Sequence, residues 1–380
     1  MRREPLWGET AGAEIVAALD PGIPSDLDRT PDVLVVGGGC VGLATAAQCR
    51  RAGLGGVVVL ERGRLAGGPS GGGAGVLAPE PHVWTDPPAL VELGRNSLAL
   101  TRELDAEWEG ALGVTTLECL VVGWRVDDAP MPLVAPVEVL DPRAVQAREP
   151  EVVVTKEALL IGGQARVHPL RFAHALSRRA GTVATGVEVA HMAIEDERVV
   201  SVHTSAGEFS PGTVVFATGM APRPYVSVRH HVVKGHLLAT EALPIRITAQ
   251  VVTPWGGALP LENGRLLSGG TFEEDDDSAE VRDVVVEAIR RGLGRVIPAA
   301  RDVTVSHAWC CFRPAAPDLV PVVDRVPGTT NAWFTSGHYR TGFLMAAATG
   351  RALAQWIAAG SPPAEVRPFG LARFDDRRLS

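Results

Sequence analysis

Several features that would assign the chain to other protein classes are missing from its 380 residues. Its five cysteines form neither a C-x-x-C pair nor a zinc-ligand spacing, so neither a disulfide framework nor a metal site is indicated. No apolar run reaches the roughly 18 residues of a membrane-spanning helix, and no signal-peptide segment follows Met1-Arg2-Arg3. The net charge of −8 counts against a nucleic-acid partner, which needs clustered positive charge. We therefore expect a cytoplasmic protein that binds no metal, membrane or nucleic acid.

The composition is that of a globular protein. Hydrophobic residues make up 46% of the chain, which at this length supports two domains or one large domain with a nested partner. Residues 1–30 are rich in proline, glycine and aspartate, with one short helical pattern around Ala13–Leu19. We predict that they form an extension that wraps the surface or stays partly mobile.

A glycine-rich turn after the first apolar strand carries a nucleotide-binding pattern. Gly37, Gly39 and Gly42 stand at G-x-G-x-x-G spacing, which permits a tight turn and a close approach of the backbone to a pyrophosphate. The predicted helix Val41–Arg51 then places its N-terminal N–H groups and dipole against phosphate charge. A second apolar strand ends in Glu61, where a carboxylate can accept hydrogen bonds from ribose hydroxyls. The sequence therefore predicts a βαβ nucleotide site.

The segment Gly67–Gly75 has a glycine density that helices and central strands do not tolerate without cost. It is either a flexible surface linker or backbone held close to a large flat ligand. Its position directly after the ribose-binding strand favours the second interpretation.

Periodicity predicts the remaining elements in outline. The acidic run Glu273–Asp277 is interpreted as the solvated start of a helix, with Asp277 and Glu280 as a capping box, in preference to a cation site. The predicted helices are Pro88–Trp108, Pro169–Arg179, Ser278–Arg291 and a C-terminal helix that ends at Ala359-Gly360. The predicted strands are Val114–Val126, Val187–Ile194, Val199–Thr204, Glu208–Phe216, a strand-rich region over 234–271, Val303–Arg313 and Ala332–Ser336.

Four features in one order resemble the D-amino-acid oxidase superfamily, and within it the glycine oxidase and sarcosine oxidase branch. They are the glycine turn with Glu61, the block ending Gly73-Ala-Gly-Val-Leu-Ala78, the strand ending Ala217-Thr-Gly219, and Gly337-His-Tyr-Arg-Thr-Gly342. The most specific part is Ala308-Trp-Cys-Cys-Phe-Arg-Pro-Ala-Ala-Pro-Asp318 with Pro321. The resemblance runs from Pro31 to Phe369.

The resemblance implies an α/β (α+β) fold and FAD as cofactor. A discontinuous Rossmann-like FAD-binding domain would comprise 31–80, 165–232 and 318–380, and a mixed-sheet substrate-binding domain would comprise 81–164 and 233–317. The expected FAD-binding residues are Gly37, Gly39, Cys40, Val41, Gly42, Glu61, Arg62, Gly73, Ala74, Gly75, Leu77, Val189, Ala217, Thr218, Gly219, Gly337, His338, Arg340, Thr341 and Gly342.

The same resemblance implies that Arg313 binds the substrate carboxylate and that Arg340 is a second arginine of the site. The alternative for both is an ordinary salt bridge. His338 and Tyr339 either line the site or have packing and capping roles. Cys311 is either the attachment point of a covalent flavin or a structural thiol.

One departure from the branch concerns the pocket. Glycine oxidases carry a tyrosine on the strand that corresponds to the stretch before Pro260, whereas this chain has Trp255-Gly-Gly-Ala258 there. Either the pocket is larger than one for glycine, or another residue makes the tyrosine's contact.

The expected reaction is FAD-dependent oxidation of the C–N bond of a small amino acid or secondary amine that carries a carboxylate. Hydride would pass from Cα to flavin N5, with O2 as acceptor and an imine or oxo acid and hydrogen peroxide as products. The alternatives are an oxidase or dehydrogenase of an unusual cyclic or hydrazino amino acid, and a tRNA-modifying flavoprotein. The sequence leaves the oligomeric state open.

Overall fold

The computed structural model describes residues 1–274 and 276–374, which form two large sheets, one small sheet and the helices that cover them. The helices are α1 (Trp7–Ala11), α2 (Ala13–Ala18), α3 (Cys40–Arg51), α4 (Pro69–Gly72), α5 (Pro88–Glu107), α6 (Pro142–Arg148), α7 (Pro169–Ser177), α8 (Asp283–Val296) and α9 (Gly342–Ala359). The strands are β1 (Val33–Val36), β2 (Val57–Glu61), β3 (Val76–Leu77), β4 (Thr115–Val122), β5 (Val137–Leu140), β6 (Ala158–Arg166), β7 (Thr182–Thr185), β8 (Val189–Glu195), β9 (Arg198–Thr204), β10 (Gly207–Phe209), β11 (Thr213–Gly219), β12 (His231–Thr240), β13 (Gln250–Thr253), β14 (Gly256–Pro260), β15 (Leu266–Gly269), β16 (Glu273–Glu274), β17 (Val305–Ala315), β18 (Val322–Arg325) and β19 (Ala332–Ser336).

The first sheet has six strands in the order β18-β19-β11-β1-β2-β7, and its pairs are parallel except at the β18 edge. Its central strand, Val33–Val36, is buried on both faces, as is usual for parallel sheets covered on two sides. On one side α3 packs against α9, and the small antiparallel sheet β10-β9-β8 directly precedes β11 in the sequence. This layering places the turn after β1 at the carboxyl edge of the sheet, where α/β folds bind ligands.

The second sheet is mixed, with the order β16-β12-β15-β14-β13-β4-β6-β3, and β17 pairs with β12 along ten residue positions. The strand register shows which side chains lie on each of its two faces. Leu237, Leu259 and Leu267 belong to the large core shared with the first sheet, whereas Val251 and Leu266 pack in a separate core on the other face. The face that carries Leu237 therefore points toward the first sheet.

The predicted α/β fold with a mixed second sheet is confirmed. The strands of the first sheet come from 31–80, 165–232 and 318–374, and β3 carries the first of these segments into the second sheet. The division of the chain into two domains stays a prediction, and residues 375–380 of its last segment lie outside the described residues. No helix among the residues described has the length and apolar character to cross a bilayer.

Residues 1–30 pack more deeply than predicted. The short helix around Ala13–Ala18 is confirmed, but α1 precedes it, and Leu6 and Trp7 are buried in the main core with 1% and 4% exposure. The backbone of Arg2 also pairs with that around His307 on β17. Two buried apolar side chains therefore make this segment part of the fold rather than a surface wrap.

Two other predictions are wrong. Glu208–Phe216 is not one strand: β10 ends at Phe209, and after a Ser-Pro-Gly break the chain enters the other sheet as β11. The helix predicted at Ser278–Arg291 begins at Asp283 and extends to Val296, so Asp277 and Glu280 are not its capping box. Within the acidic run, Asp275 lies outside the described residues.

The acidic run is instead fixed by basic side chains of β12 and of the following loop. Asp276 accepts from Lys234 Nζ at 2.9 Å, and Glu273 binds Arg282 and lies 2.6 Å from His236 Nδ1. The Ser278 hydroxyl that donates to Asp276, together with the hydrogen bond from the Lys234 ammonium, lowers the pKa of Asp276 to about 2. These contacts between residues distant in sequence hold the segment extended, so α8 begins only at Asp283.

Candidate functional site

The turn between β1 and α3 is built so tightly that two of its glycines have no room for a side chain. Gly37 has φ of 117°, and a Cβ there would lie 2.8 Å from the carbonyl carbon of Ala217. A Cβ on Gly42 would lie 3.1 Å from the carbonyl carbon of Gly37. The G-x-G-x-x-G spacing thus packs the helix start against its own strand and against β11.

The groups that a dinucleotide needs converge on this turn. Glu61 Oε2 accepts from Gly38 N at 2.7 Å and its Oε1 accepts from Gly63 N at 2.9 Å, which fixes the carboxylate beside the turn. Within the described residues, the N–H groups of Gly39 and Val41 donate to no oxygen atom of the protein. Free first-turn N–H groups beside a fixed carboxylate match the pyrophosphate and ribose of FAD.

The other residues expected at the nucleotide end have different environments. Val187 N, two residues before Val189, donates to Glu61 O at 2.9 Å, so β8 begins next to Glu61. Ala217 is buried against the glycine turn, Thr218 is exposed, and Gly219 ends β11. Arg62 is exposed and forms no side-chain hydrogen bond among the described residues.

The glycine-rich block at 67–75 is ordered by two tryptophans from distant parts of the chain. Trp7 Nε1 donates to Gly73 O at 2.9 Å, and Trp309 Nε1 donates to Gly72 O at 2.8 Å. Ser70 Oγ accepts from Cys40 N at 3.0 Å, which ties the block to the start of α3. Of the two interpretations of this block, these contacts favour backbone held against a ligand over a flexible linker.

A cavity of about 760 Å³ lies between this block and the second sheet. Its near wall is Cys40 with Pro69, Ser70 and 73–76, and its far wall comes from β17, β12, β15, β14 and β13, on the face that carries Leu237. The predicted site residues that line it are Cys40, Gly73, Ala74, Gly75, Trp255, Cys311, Arg313, Tyr339, Arg340 and Gly342. Leu77 is fully buried in β3, next to the wall residue Val76.

Arg313 projects from β17 into this cavity. Its Nη1 donates to Thr271 O at 2.9 Å, and the guanidinium lies 4.9 Å from the centre of the Phe272 ring. Among residues 1–274 and 276–374, no carboxylate lies within 4.0 Å of this side chain. Burial lowers the pKa of Arg313, but an arginine stays charged at neutral pH. The cavity wall therefore presents a cation whose charge the surrounding described side chains do not neutralise.

Gly235 makes room for that arginine. On β12 it lies directly opposite Cys311, and a Cβ there would be 2.6 Å from Nη1 and 2.7 Å from Cζ of Arg313. A glycine inside a strand often marks a place where another group approaches closely. Here the approaching group is the guanidinium itself.

Arg340 lines the same cavity but is ion-paired. Its Nη2 donates to Asp86 and, at 2.9 Å, to Thr85 Oγ1. Burial alone would raise the pKa of Asp86, but the adjacent His82, 2.9 Å away, and Arg340 outweigh it and hold the pKa below its ordinary value. Of the two interpretations of Arg340, the structure thus contains the salt bridge, at the cavity wall.

The other pocket candidates differ in their position relative to the cavity. Tyr339 faces the cavity with its ring 6.3 Å from that of Phe272, and burial raises its pKa. Trp255 is at the tip of the β13–β14 hairpin and is 50% exposed at the cavity mouth. His338 does not line the cavity: it is buried, with Nε2 3.3 Å from Thr349 Oγ1, and burial lowers its pKa to about 4.

The block 337–342 forms the entry to α9. Gly337 has φ of 68° and a Cβ there would lie 3.0 Å from Ala316 N, so the chain can turn only at a glycine. Thr341 is buried and its Oγ1 donates to His338 O at 2.9 Å, which closes the turn before Gly342. The N-terminus of α9 then opens on the cavity, where its dipole favours negative charge on a bound cofactor.

Cys311 lies on the cavity wall as a buried thiol. Its Sγ lies 3.7 Å from Pro69 O, and a Cβ on Gly72 would contact it at 3.3 Å. Burial raises the pKa of this thiol to about 11, so it stays protonated at neutral pH. These contacts agree with the structural-thiol interpretation.

Sequence reasoning missed Trp7, Asp86, Gly235, Thr271 and Phe272. Gly235 left one signal, a glycine inside a strand-like run. Asp86 and Trp7 left none, because their partners Arg340 and Gly73 are 254 and 66 positions away in sequence.

Comparison with known proteins agrees with this geometry. The family model described as DAO, FAD dependent oxidoreductase, matches residues 32–356. A glycine oxidase of Pseudomonas aeruginosa is 27% identical over 365 residues, covering 90% of this chain and 98% of that protein. The hydrogen cyanide synthase subunit HcnC of the same species is 26% identical, covering 92% and 97%.

Solved structures show the same fold. Glycine oxidase from Geobacillus kaustophilus superposes with a TM-score of 0.80 at 24% identity, covering 91% of this chain and all of that one. L-amino acid deaminase from Proteus myxofaciens has a TM-score of 0.83 at 16% identity, covering 94% and 96%. With the family model matched over most of its length, the chain belongs to the DAO family of FAD-dependent oxidoreductases.

Proposed function

We propose that this enzyme oxidises the C–N bond of a small amino acid or secondary amine that carries a carboxylate. Bound FAD would supply the acceptor for the hydride that leaves Cα, and O2 would take up the electrons, giving an imine or oxo acid and hydrogen peroxide. The observation that carries the proposal is Arg313, a partly buried guanidinium on the cavity wall with no carboxylate partner among the described residues.

A partly desolvated cation without a counter-ion favours the binding of an anion. Thr271 O accepts a hydrogen bond from one N–H of the guanidinium, and Phe272 covers one of its faces. These two contacts fix the direction in which the remaining N–H groups point. A planar fork of donors suits the two oxygens of a carboxylate. We therefore assign substrate anchoring to Arg313.

The charge around the cavity also suits amine oxidation. Its described lining contains two arginines and no aspartate, glutamate or lysine side chain. An ammonium group gains no stabilising carboxylate there, so the site favours the neutral amine, which is the form that can lose hydride. Orientation and electrostatics are then the main contributions of the protein, and no dedicated base is required.

The similar proteins support this class of substrate. Two of them are named glycine oxidase and one a hydrogen cyanide synthase subunit. A neighbour in fold is an iminodiacetate oxidase, with a TM-score of 0.74.

The test is replacement of Arg313 by alanine and by lysine. Removing a charge-paired anchor costs roughly 2–5 kcal/mol, so we expect kcat/KM for carboxylate-bearing amines to fall about 30- to several-thousand-fold. Lysine restores part of the loss because it keeps the charge but not the fork. The control is Arg102→Ala, since Arg102 also donates to backbone carbonyls but does not line the cavity. Parental kcat/KM in Arg313→Ala would refute the assignment.

The electron acceptor needs its own measurement. Mixing the reduced enzyme with O2 in a stopped-flow instrument should reoxidise the flavin rapidly. Slow reoxidation, with fast turnover on an artificial acceptor, would show a dehydrogenase instead. One fold neighbour, named L-proline dehydrogenase, corresponds to this alternative.

A further inference from the structure

The cavity has a second, apolar end whose residues the anchoring of a small carboxylate does not use. Its mouth is lined by Trp255, Phe272, Val285, Ala288 and Ile289, which we call the apolar mouth. Phe272 is 59% exposed and Trp255 is 50% exposed, so two large aromatic side chains lie partly in solvent at one opening. Exposed apolar groups that cluster at a cavity usually mark a binding surface.

The helix α8 contributes to this mouth through a stripe of its own. Val285, Ala288, Ile289 and Gly292 follow the i, i+3, i+4, i+7 spacing of one helix face. The buried core stripe of the same helix, Val286 with Leu293, lies beside it rather than on it. The first three residues of the cavity stripe line the mouth, and Gly292 packs under the hairpin tip near the Trp255 carbonyl. Ile289 also packs against the small core cluster of Leu238, Val286 and Ala308, whereas Val285 and Ala288 belong to no core cluster of the described residues and line the mouth.

The geometry connects this mouth to Arg313. The cavity wall crosses from β17, which carries Arg313, through β12 and β15 to β14, at whose start Trp255 lies. Three strand spacings of about 4.8 Å make this path roughly 14 Å long. Phe272 continues the apolar surface to the guanidinium, which its ring contacts at 4.9 Å. Glycine or sarcosine bound at Arg313 would leave most of that path unfilled.

The charges limit what can fill it. Arg340 is neutralised by Asp86, and the described lining has no carboxylate, so neither a second acid group nor a basic side chain finds a counter-ion. We propose that the substrate of this enzyme carries a large apolar substituent, at least the size of a phenyl ring, that lies against the apolar mouth while its carboxylate binds Arg313. This inference rests on the proposed function and specifies its substrate class.

The experiment is a substrate panel on the FAD-loaded enzyme. It contains glycine, sarcosine, N-benzylglycine, and both enantiomers of alanine, leucine, phenylalanine, tryptophan, aspartate and lysine. Flavin bleaching is followed without oxygen and kcat/KM is measured in air. One extra methylene in an apolar pocket is worth about tenfold or more, so we expect phenylalanine or N-benzylglycine to exceed alanine and glycine by at least tenfold, with aspartate and lysine poor.

Two variants tie the preference to the mouth. Trp255→Ala and Ile289→Asp should each lower the ratio of kcat/KM for the phenyl substrate to that for the small substrate about tenfold. Val139→Asp is the matched control, because Val139 is an exposed branched residue on β5, which does not line the cavity, and it should leave the ratio unchanged. Flavin content and thermal midpoints show that each variant is folded.

The outcomes distinguish a failure of the substrate inference from a failure of the proposed function. If glycine or sarcosine matches or exceeds the phenyl substrates, or if both mouth variants keep the parental ratio, the substrate inference is overturned while the proposed function stands. If no member of the panel bleaches the flavin, the proposed function itself fails.

Discussion

The position of Arg313 depends on a glycine, and Gly235→Ala tests that dependence. The new Cβ would lie 2.6 Å from Nη1 of Arg313, whereas ordinary contact is about 3.5 Å, so the guanidinium must move by about 1 Å. The clashing atoms are the far end of a flexible side chain, and the strand backbone need not shift. The change therefore displaces the anchor and leaves the fold nearly intact.

The expected effect follows from that displacement. A misplacement of about 1 Å in a positioned group costs on the order of 100-fold in rate. We expect kcat/KM for a carboxylate-bearing amine to fall by about that factor. Stability should change by less than about 1 kcal/mol, because alanine replaces glycine in a strand without a backbone clash.

The assay combines steady-state kinetics with flavin absorbance and thermal unfolding. Gly162→Ala is the control, since Gly162 is also a strand glycine of the second sheet and its new Cβ would meet Pro136 only at 3.7 Å. Parental kinetics in Gly235→Ala would refute the idea that this glycine places the guanidinium. A large fall in thermal stability would show that the backbone, not the arginine, had moved.

Three further predictions concern the cofactor site and its surroundings. Trp7→Phe removes the N–H that donates to Gly73 O, so FAD affinity should fall about fivefold, for a hydrogen bond of about 1 kcal/mol, in a fluorescence titration, while Trp108→Phe should not change it. Burial lowers the pKa of His338 to about 4, so between its unfolded value near 6.5 and pH 4 the unfolded chain binds a proton that the native protein does not. Stability should thus fall as pH drops through this range, and His338→Gln should reduce that fall in urea unfolding at pH 7 and pH 5. Acid precipitation should leave the flavin in the supernatant, because Cys311 is a protonated buried thiol; colour that stays with the pellet would show a covalent bond.

Elements fixed by their own local sequence were predictable. The strand, turn and helix around Gly37 follow from glycine spacing, and Pro169 is the first residue of α7 as its fixed φ favours. Gly360 ends α9 in the left-handed conformation that glycine adopts most easily. In each case the residue that decides the structure lies inside or directly beside the element.

Elements fixed by distant partners were not predictable. The capping box at Asp277 is plausible from local rules, but Lys234 and His236 on β12 hold the acidic segment and move the helix start to Asp283. Trp7 lies in a segment whose composition suggests a mobile extension, yet its ring is buried beside Trp309. Tertiary packing overrides local preference at both places.

The two arginines show the same limit at the site, with a chemical consequence. Both arginines line one cavity, and the resemblance assigned both to substrate binding. Asp86, a loop residue 254 positions earlier in the sequence, pairs with Arg340. Arg313 has no carboxylate partner among the described residues. An anion that enters therefore finds its free donors at Arg313, because binding at Arg340 must compete with a carboxylate already in place. Asp86→Asn would release that competition: a second anchor should appear, and acidic substrates such as aspartate should gain affinity relative to phenylalanine. An unchanged ratio of the two KM values would mean that Arg340 does not reach the substrate.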